Sequence, residues 1–125
     1  MPNPFHDAFA NLKLVFQPHA ENLKVIADTA SEYTLISKTP SPFPQHKGKG
    51  MYFGSVRLGK AYVSFHLMPL YMNSALTRSI SPTLKKRMQG KSCFNFKNSP
   101  EPELLAELRR LTDSGFQQFR QKRWL

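Results

Sequence analysis

Apolar residues recur along this chain with two different periods. Phe5, Phe9, Leu12 and Phe16 follow one another at steps of four, three and four, a stripe that predicts a helix. Pro4 suits its first turn, Asn3 its N-cap, and Pro18 stops it. Residues 51 to 68 alternate instead, and they predict a β-hairpin closed on Gly59 and Lys60. That turn pairs Leu58 with Ala61, Val56 with Val63, Gly54 with Phe65 and Tyr52 with Leu67 on a core face. The opposite face then carries Arg57 beside Tyr62, Ser55 beside Ser64, Phe53 beside His66 and Met51 beside Met68.

The remaining segments complete one α+β unit. Leu23 to Asp28 and Tyr33 to Lys38 are strand-like, with residues 28 to 31 as the turn between them. Residues 39 to 50 hold three prolines and two glycines and predict a loop. Ser74 caps a short helical segment through Arg78. Ser81-Pro82 starts a helix expected to run to Gln89 and to end at Gly90. Residues 91 to 97 form one more strand, with Phe94 and Phe96 inward. Ser99 caps a last helix along which Leu104, Leu105, Leu108 and Leu111 make the apolar stripe, and Asp113-Ser114-Gly115 is a candidate break. The expected fold is a single domain over residues 1–125, with a mainly antiparallel five-stranded sheet and N- and C-terminal helices packed on one face.

Composition changes this picture mainly through charge. Eighteen Lys and Arg against eight Asp and Glu give +10, a balance that attracts polyanions. The cations gather between Arg78 and Lys97 and again between Arg109 and Arg123, although Lys85, Lys86 and Arg87 also complement a helix C-terminus. One cysteine, Cys93, excludes an internal disulfide and a Cys-cluster zinc site. The apolar runs fall far short of the ~18–20 residues that span a bilayer, and the N-terminus lacks a basic-then-apolar leader. A cytoplasmic protein with no membrane partner is expected.

Gly59 through Leu70, with His66 and Pro69, followed by a helix, then Gly90 through Phe96, then a Pro-initiated helix, resemble the YdhG-like domain of unknown function 1801 family over residues 48 to 112. The resemblance implies a frataxin-like fold, and it raises iron handling as a function. Asp7, Glu21, Asp28 and Glu32, the acids available for iron in the first helix and strands, are scattered, and a +10 chain repels cations.

Catalytic patterns are weak. Cys93 sits among phenylalanines as a small hydrophobe, Ser55 and Ser64 beside His66 lack a nucleophile-elbow frame, and no two histidines have metal-ligand spacing. Lys47-Gly48-Lys49-Gly50 lacks the strand-to-helix setting of a phosphate loop. The favoured reading is a non-enzymatic module without a cofactor. It binds a small anionic ligand on the sheet face through Arg57, Tyr62, His66, Phe53 and Lys60, with arginine pairing the anion and the rings stacking. The alternatives are single-strand nucleic-acid binding on the same face and a homodimer formed through a strand edge or the Trp124 tail.

Overall fold

A computed structural model describes residues 4–40, 44–47 and 49–124. Helix α1 (Pro4–Phe16) buries Ala8, Phe9, Leu12, Val15 and Phe16, so the helical stripe is its inner face. The proposed cap, Asn3, lies outside the described residues. A 3-10 turn (Gln17–Asn22), with Pro18 in its first turn, leads into strands β1 (Lys24–Asp28) and β2 (Glu32–Pro40). Strands β3 (Gly50–Leu58) and β4 (Val63–Leu67) form the hairpin. Three short helices, α2 (Met68–Met72), α3 (Ser74–Arg78) and α4 (Pro82–Lys85), precede β5 (Met88–Gln89), β6 (Cys93–Phe96) and the long α5 (Pro102–Gln121).

The strands make one antiparallel sheet in the order β1-β2-β3-β4-β6-β5, six strands where five were expected. The sixth is β5. The helix that begins at Ser81 and Pro82 stops at Lys85 rather than Gln89, because Met88 and Gln89 pair with Phe94 and Cys93 instead. Gly90, at φ 78°, turns β5 into β6 rather than ending a helix. Ser81 caps as expected, accepting from the Leu84 N–H at 3.2 Å, while the cap of α3 is Asn73 rather than Ser74.

Helices α1 and α5 share one face of the sheet, where Phe16 stacks on Phe65 and Phe53 stands edge-on to Phe119. Helix α5 runs unbroken through Asp113-Ser114-Gly115. A helical glycine costs about 1 kcal/mol, but a Cβ at Gly115 would lie 2.7 Å from the Pro69 ring, so the missing side chain lets α5 and α2 close on each other. Ser99, the expected cap, instead accepts a bond from Asn11 at 2.7 Å, and Glu101 holds the cap position without a side-chain bond.

The β3–β4 hairpin departs from its expected register by two residues. Leu58 faces Val63, Val56 faces Phe65 and Gly54 faces Leu67, joined by a four-residue loop, Gly59 to Tyr62, in which the Gly59 N–H donates to the Tyr62 carbonyl at 3.0 Å. A slip of two preserves which side each residue faces, so the odd–even partition survives from Gly54 onward. It fails before Gly54. Leu35 pairs with Gly54 but Ile36 with Tyr52, leaving Phe53 as an extra, bulged residue. The bulge sends Phe53 and Met51 into the core and turns Tyr52 to the far face. The expectation that Phe53 lies on the binding face is therefore corrected: its ring is fully buried under α5.

Candidate functional site

The sheet face turned away from α1 and α5 is polar along its length. One row of neighbours crosses all six strands through Ala27, Thr34, Ser55, His66, Cys93 and Gln89, and a second runs through Glu32, Arg57, Ser64 and Asn95. Strand alternation places these side chains together. Short hydroxyl residues at Thr34, Ser55 and Ser64 let the strands carry them without a covering layer.

The groups are tied by hydrogen bonds. Glu32 accepts from the Thr34 hydroxyl at 2.6 Å, the Tyr52 and Ser55 hydroxyls share a bond, and the Ser64 hydroxyl donates to Asn95, whose amide donates in turn to Gln89 at 2.5 Å. His66 Nε2 lies 2.5 Å from the Ser92 hydroxyl, and the Tyr52 ring stands edge-on to the imidazole at 5.2 Å. No buried side-chain nitrogen or oxygen among the described residues lacks a partner.

Electrostatics separate the members. Burial, with the Arg57 charge second, lowers the His66 pKa below the ordinary histidine value and so favours the neutral ring at pH 7. Burial raises the Cys93 pKa and keeps it a thiol, and burial likewise raises the Tyr52 phenol. Arg57 is the cation of the second row. Its side chain is 64% exposed, and its nearest carboxylate, Glu32, is 3.9 Å away and already engaged by Thr34.

Two of the five residues expected to form the site come together here. Arg57 and His66 sit diagonally on adjacent strands. Tyr62 and Lys60 stand exposed in the β3–β4 loop, where the longer turn has carried Tyr62 off the position opposite Arg57, now held by Ser64. Phe53 is in the core. Sequence reasoning missed Tyr52, Ser92 and Asn95. Tyr52 is invisible without the bulge. Ser92 reaches His66 only because β6 pairs with β4, and nothing local announces that pairing.

The serine–histidine contact differs from a Ser-His-Asp triad in two respects. Ser92 is 7% exposed, and among the described residues no carboxylate bonds His66 to orient it. Among the same residues no group of three His, Cys, Asp or Glu is arranged to hold a metal ion. No family model, curated protein or solved structure matches the chain.

Proposed function

We propose that this chain is a non-catalytic binding module whose polar sheet face takes a small anionic ligand, with the anion on Arg57 and an adjoining flat or polar portion against His66 and Tyr52. The observation that carries this is the state of the Arg57 guanidinium, projected into solvent from a hydrogen-bonded floor and paired, among the described residues, only with the Glu32 carboxylate at 3.9 Å. A carboxylate or phosphate there would gain the bidentate pairing that Glu32 does not supply. The neutral imidazole of His66 then offers a hydrogen bond without a competing charge. Lys60 and Tyr62, exposed in the hairpin loop, serve as a rim rather than a floor.

We propose, from the sequence resemblance to the YdhG-like family, a frataxin-like architecture, with which an order of helix, antiparallel sheet and helix is compatible. Iron handling gains no support from the arrangement of acids. Among the described residues no helix is long and apolar enough to cross a membrane, and we propose a reducing cytoplasm as the location, where the chain's single cysteine, Cys93, would stay unpaired.

The test is calorimetric titration of small dicarboxylates, pyrophosphate and nucleoside monophosphates into the wild-type chain and into Arg57→Gln. A charge-assisted pairing is worth about 1.5–3 kcal/mol, so the variant should lose about ten- to a hundredfold in affinity for whichever anion binds. Equal binding by both proteins, or no binding by either, removes this reading.

A further inference from the structure

Away from Arg57, the structure carries a second cationic feature. A cleft of about 420 Å³ is lined by Lys47, Lys49, Gly50 and Tyr52. A second, of about 490 Å³, shares Lys49 and Gly50 with the first and adds Lys24, Ile26, Ile36 and Lys38. A third, of about 470 Å³, shares Lys38 with the second and adds Asn22, Phe116, Arg120 and Arg123. Because each cleft shares a lysine with the next, the three run as one path. It begins beside Tyr52 on the polar sheet face, passes the β1–β2 end of the sheet and finishes at the C-terminus of α5.

Among the described residues six cations line this path and no acidic side chain does. Among the described residues the ion pairs use Lys13, His19, Arg57 and Arg110, so none of the six is neutralised within the fold. Two of them are held in place: Lys38 donates to the Glu21 carbonyl at 2.7 Å, and the Arg120 guanidinium lies over the Phe116 ring at 5.3 Å. A separate observation concerns the backbone. Among the described residues two that are not glycine adopt positive φ, Lys47 at 52° and Arg123 at 59°, and both are cations of this path. Such conformations cost about 1–2 kcal/mol for an L-residue, and outliers of this kind collect at functional positions.

We propose that the three clefts form one track for a single-stranded nucleic acid. A path of cations that turns from the sheet face round to the helix layer suits a flexible polyanion. A duplex, stiff over ~150 bp, does not follow a bend on the scale of one small domain. Each cleft also sets apolar or planar surface beside its charge: the Tyr52 ring in the first, Ile26 and Ile36 in the second, and the Arg120 guanidinium backed by Phe116 in the third. Unpaired bases use such surface, and single strands are held by this alternation of stacking and phosphate contact. Inorganic polyphosphate has nothing to place there. The track uses none of the residues that define the Arg57 site except Tyr52 at its start, so either proposal can fail without the other.

The experiment is fluorescence anisotropy of the full chain with a labelled oligouridylate of about 16 nucleotides, the upper end of a single-strand site. Each phosphate neutralised contributes about 0.7 to the slope of log affinity against log salt, so six contacts predict a slope of about −4. Replacing Lys49 and Arg120 together by Gln should flatten it by about 1.4 and weaken binding about 25-fold at 0.1 M salt. Arg123→Gly removes one cation while relaxing its backbone, and should lose about fivefold with the fold intact. Lys85→Gln with Lys86→Gln removes two cations outside the track and should leave affinity and slope unchanged. A slope near zero, an equal loss from the Lys85/Lys86 pair, or equally tight binding of a duplex of the same length overturns the proposal. Competition by polyphosphate as strong per phosphate as by oligouridylate overturns it in favour of a base-independent anion.

Discussion

The two faces of this sheet are built from the same strands but held by different interactions. Toward α1 and α5, the rings of Phe16 and Phe65 stack at 4.6 Å with planes 6° apart, and Phe53 meets Phe119 edge-on at 5.1 Å. On the opposite face, Thr34 and Ser55 are almost as buried as those rings, yet they are held by hydroxyl bonds to Glu32 and Tyr52. The first face contributes area removed from water, which is large and indifferent to direction. The second contributes directional bonds, each worth about 0.5–1.5 kcal/mol net but costly to leave unmade. Stability is concentrated on one side, and groups able to recognise a ligand on the other. The bulge at Phe53 is where a single strand changes allegiance between them.

That contrast is most easily broken at adjacent residues of β3. Phe53→Ala should destabilise the chain by about 3–5 kcal/mol, the range for truncating a buried aromatic ring. Tyr52→Phe, one position away, should cost about 1 kcal/mol through the hydroxyl it shares with Ser55. Urea denaturation of both variants decides the matter. Comparable losses would place both rings in the core and remove the bulge from the account.

Gly54 tests how closely the faces are pressed together. A Cβ there would stand 2.6 Å from the Phe16 ring and 2.7 Å from the His66 carbonyl oxygen, and the latter is backbone that cannot swing aside. Gly54→Ala should therefore cost about 1–3 kcal/mol, as overpacking does, although alanine is the better residue in an ordinary strand. A neutral or stabilising result would mean that α1 sits farther from β3 than the structure has it.

Most of the helical face was legible in the sequence, and the reason is redundancy. The stripe of Phe5, Phe9, Leu12 and Phe16 keeps one helical period over four positions, and Leu104, Leu108 and Leu111 keep it over three in α5. Loss of one position leaves the pattern standing. The polar face was legible only where strand parity held, which placed Arg57 and His66 correctly even though the hairpin loop is two residues longer than expected. It was illegible at Tyr52 and Phe53, since a bulge reverses parity without any residue that marks it. The end of α4 was hidden for a different reason. Met88 and Gln89 leave the helix to satisfy β6, a tertiary partner that outweighs local propensity. Likewise Asp113-Ser114-Gly115 bears every local sign of a break, and the close seat against Pro69 overrides it.

His66 offers a subtler probe of the polar face, through pH. Its pKa in the fold lies below the ordinary value near 6.5, by burial first and Arg57 second. Between the two values the unfolded chain binds more protons than the folded one, so this group lowers stability as pH falls from about 7 toward the folded value, and the loss levels off beneath it. His66→Gln removes that contribution. The stability advantage of wild type over the variant should therefore shrink on acidification, as read from thermal melts at a series of pH values. An advantage that grows toward acid would mean that His66 is protonated more readily in the fold than in the free chain, and the neutral-imidazole description of the site would be wrong.

The smallest effect is expected at Arg123, and its sign is the informative part. The residue follows α5 in the left-handed conformation, with the Trp124 N–H donating to the Phe119 carbonyl at 2.9 Å and the Trp124 ring packed edge-on against Phe119. This is the helix ending that glycine usually occupies. Relief of about 1–2 kcal/mol of left-handed strain, set against the extra freedom glycine gives the unfolded chain, about 0.5–1 kcal/mol, leaves Arg123→Gly more stable by up to about 1.5 kcal/mol. A higher melting temperature together with weaker oligonucleotide binding would mark Arg123 as held at a conformational cost for its charge. A lower melting temperature would show instead that its side chain earns its place by packing, and the backbone outlier would no longer speak for the track.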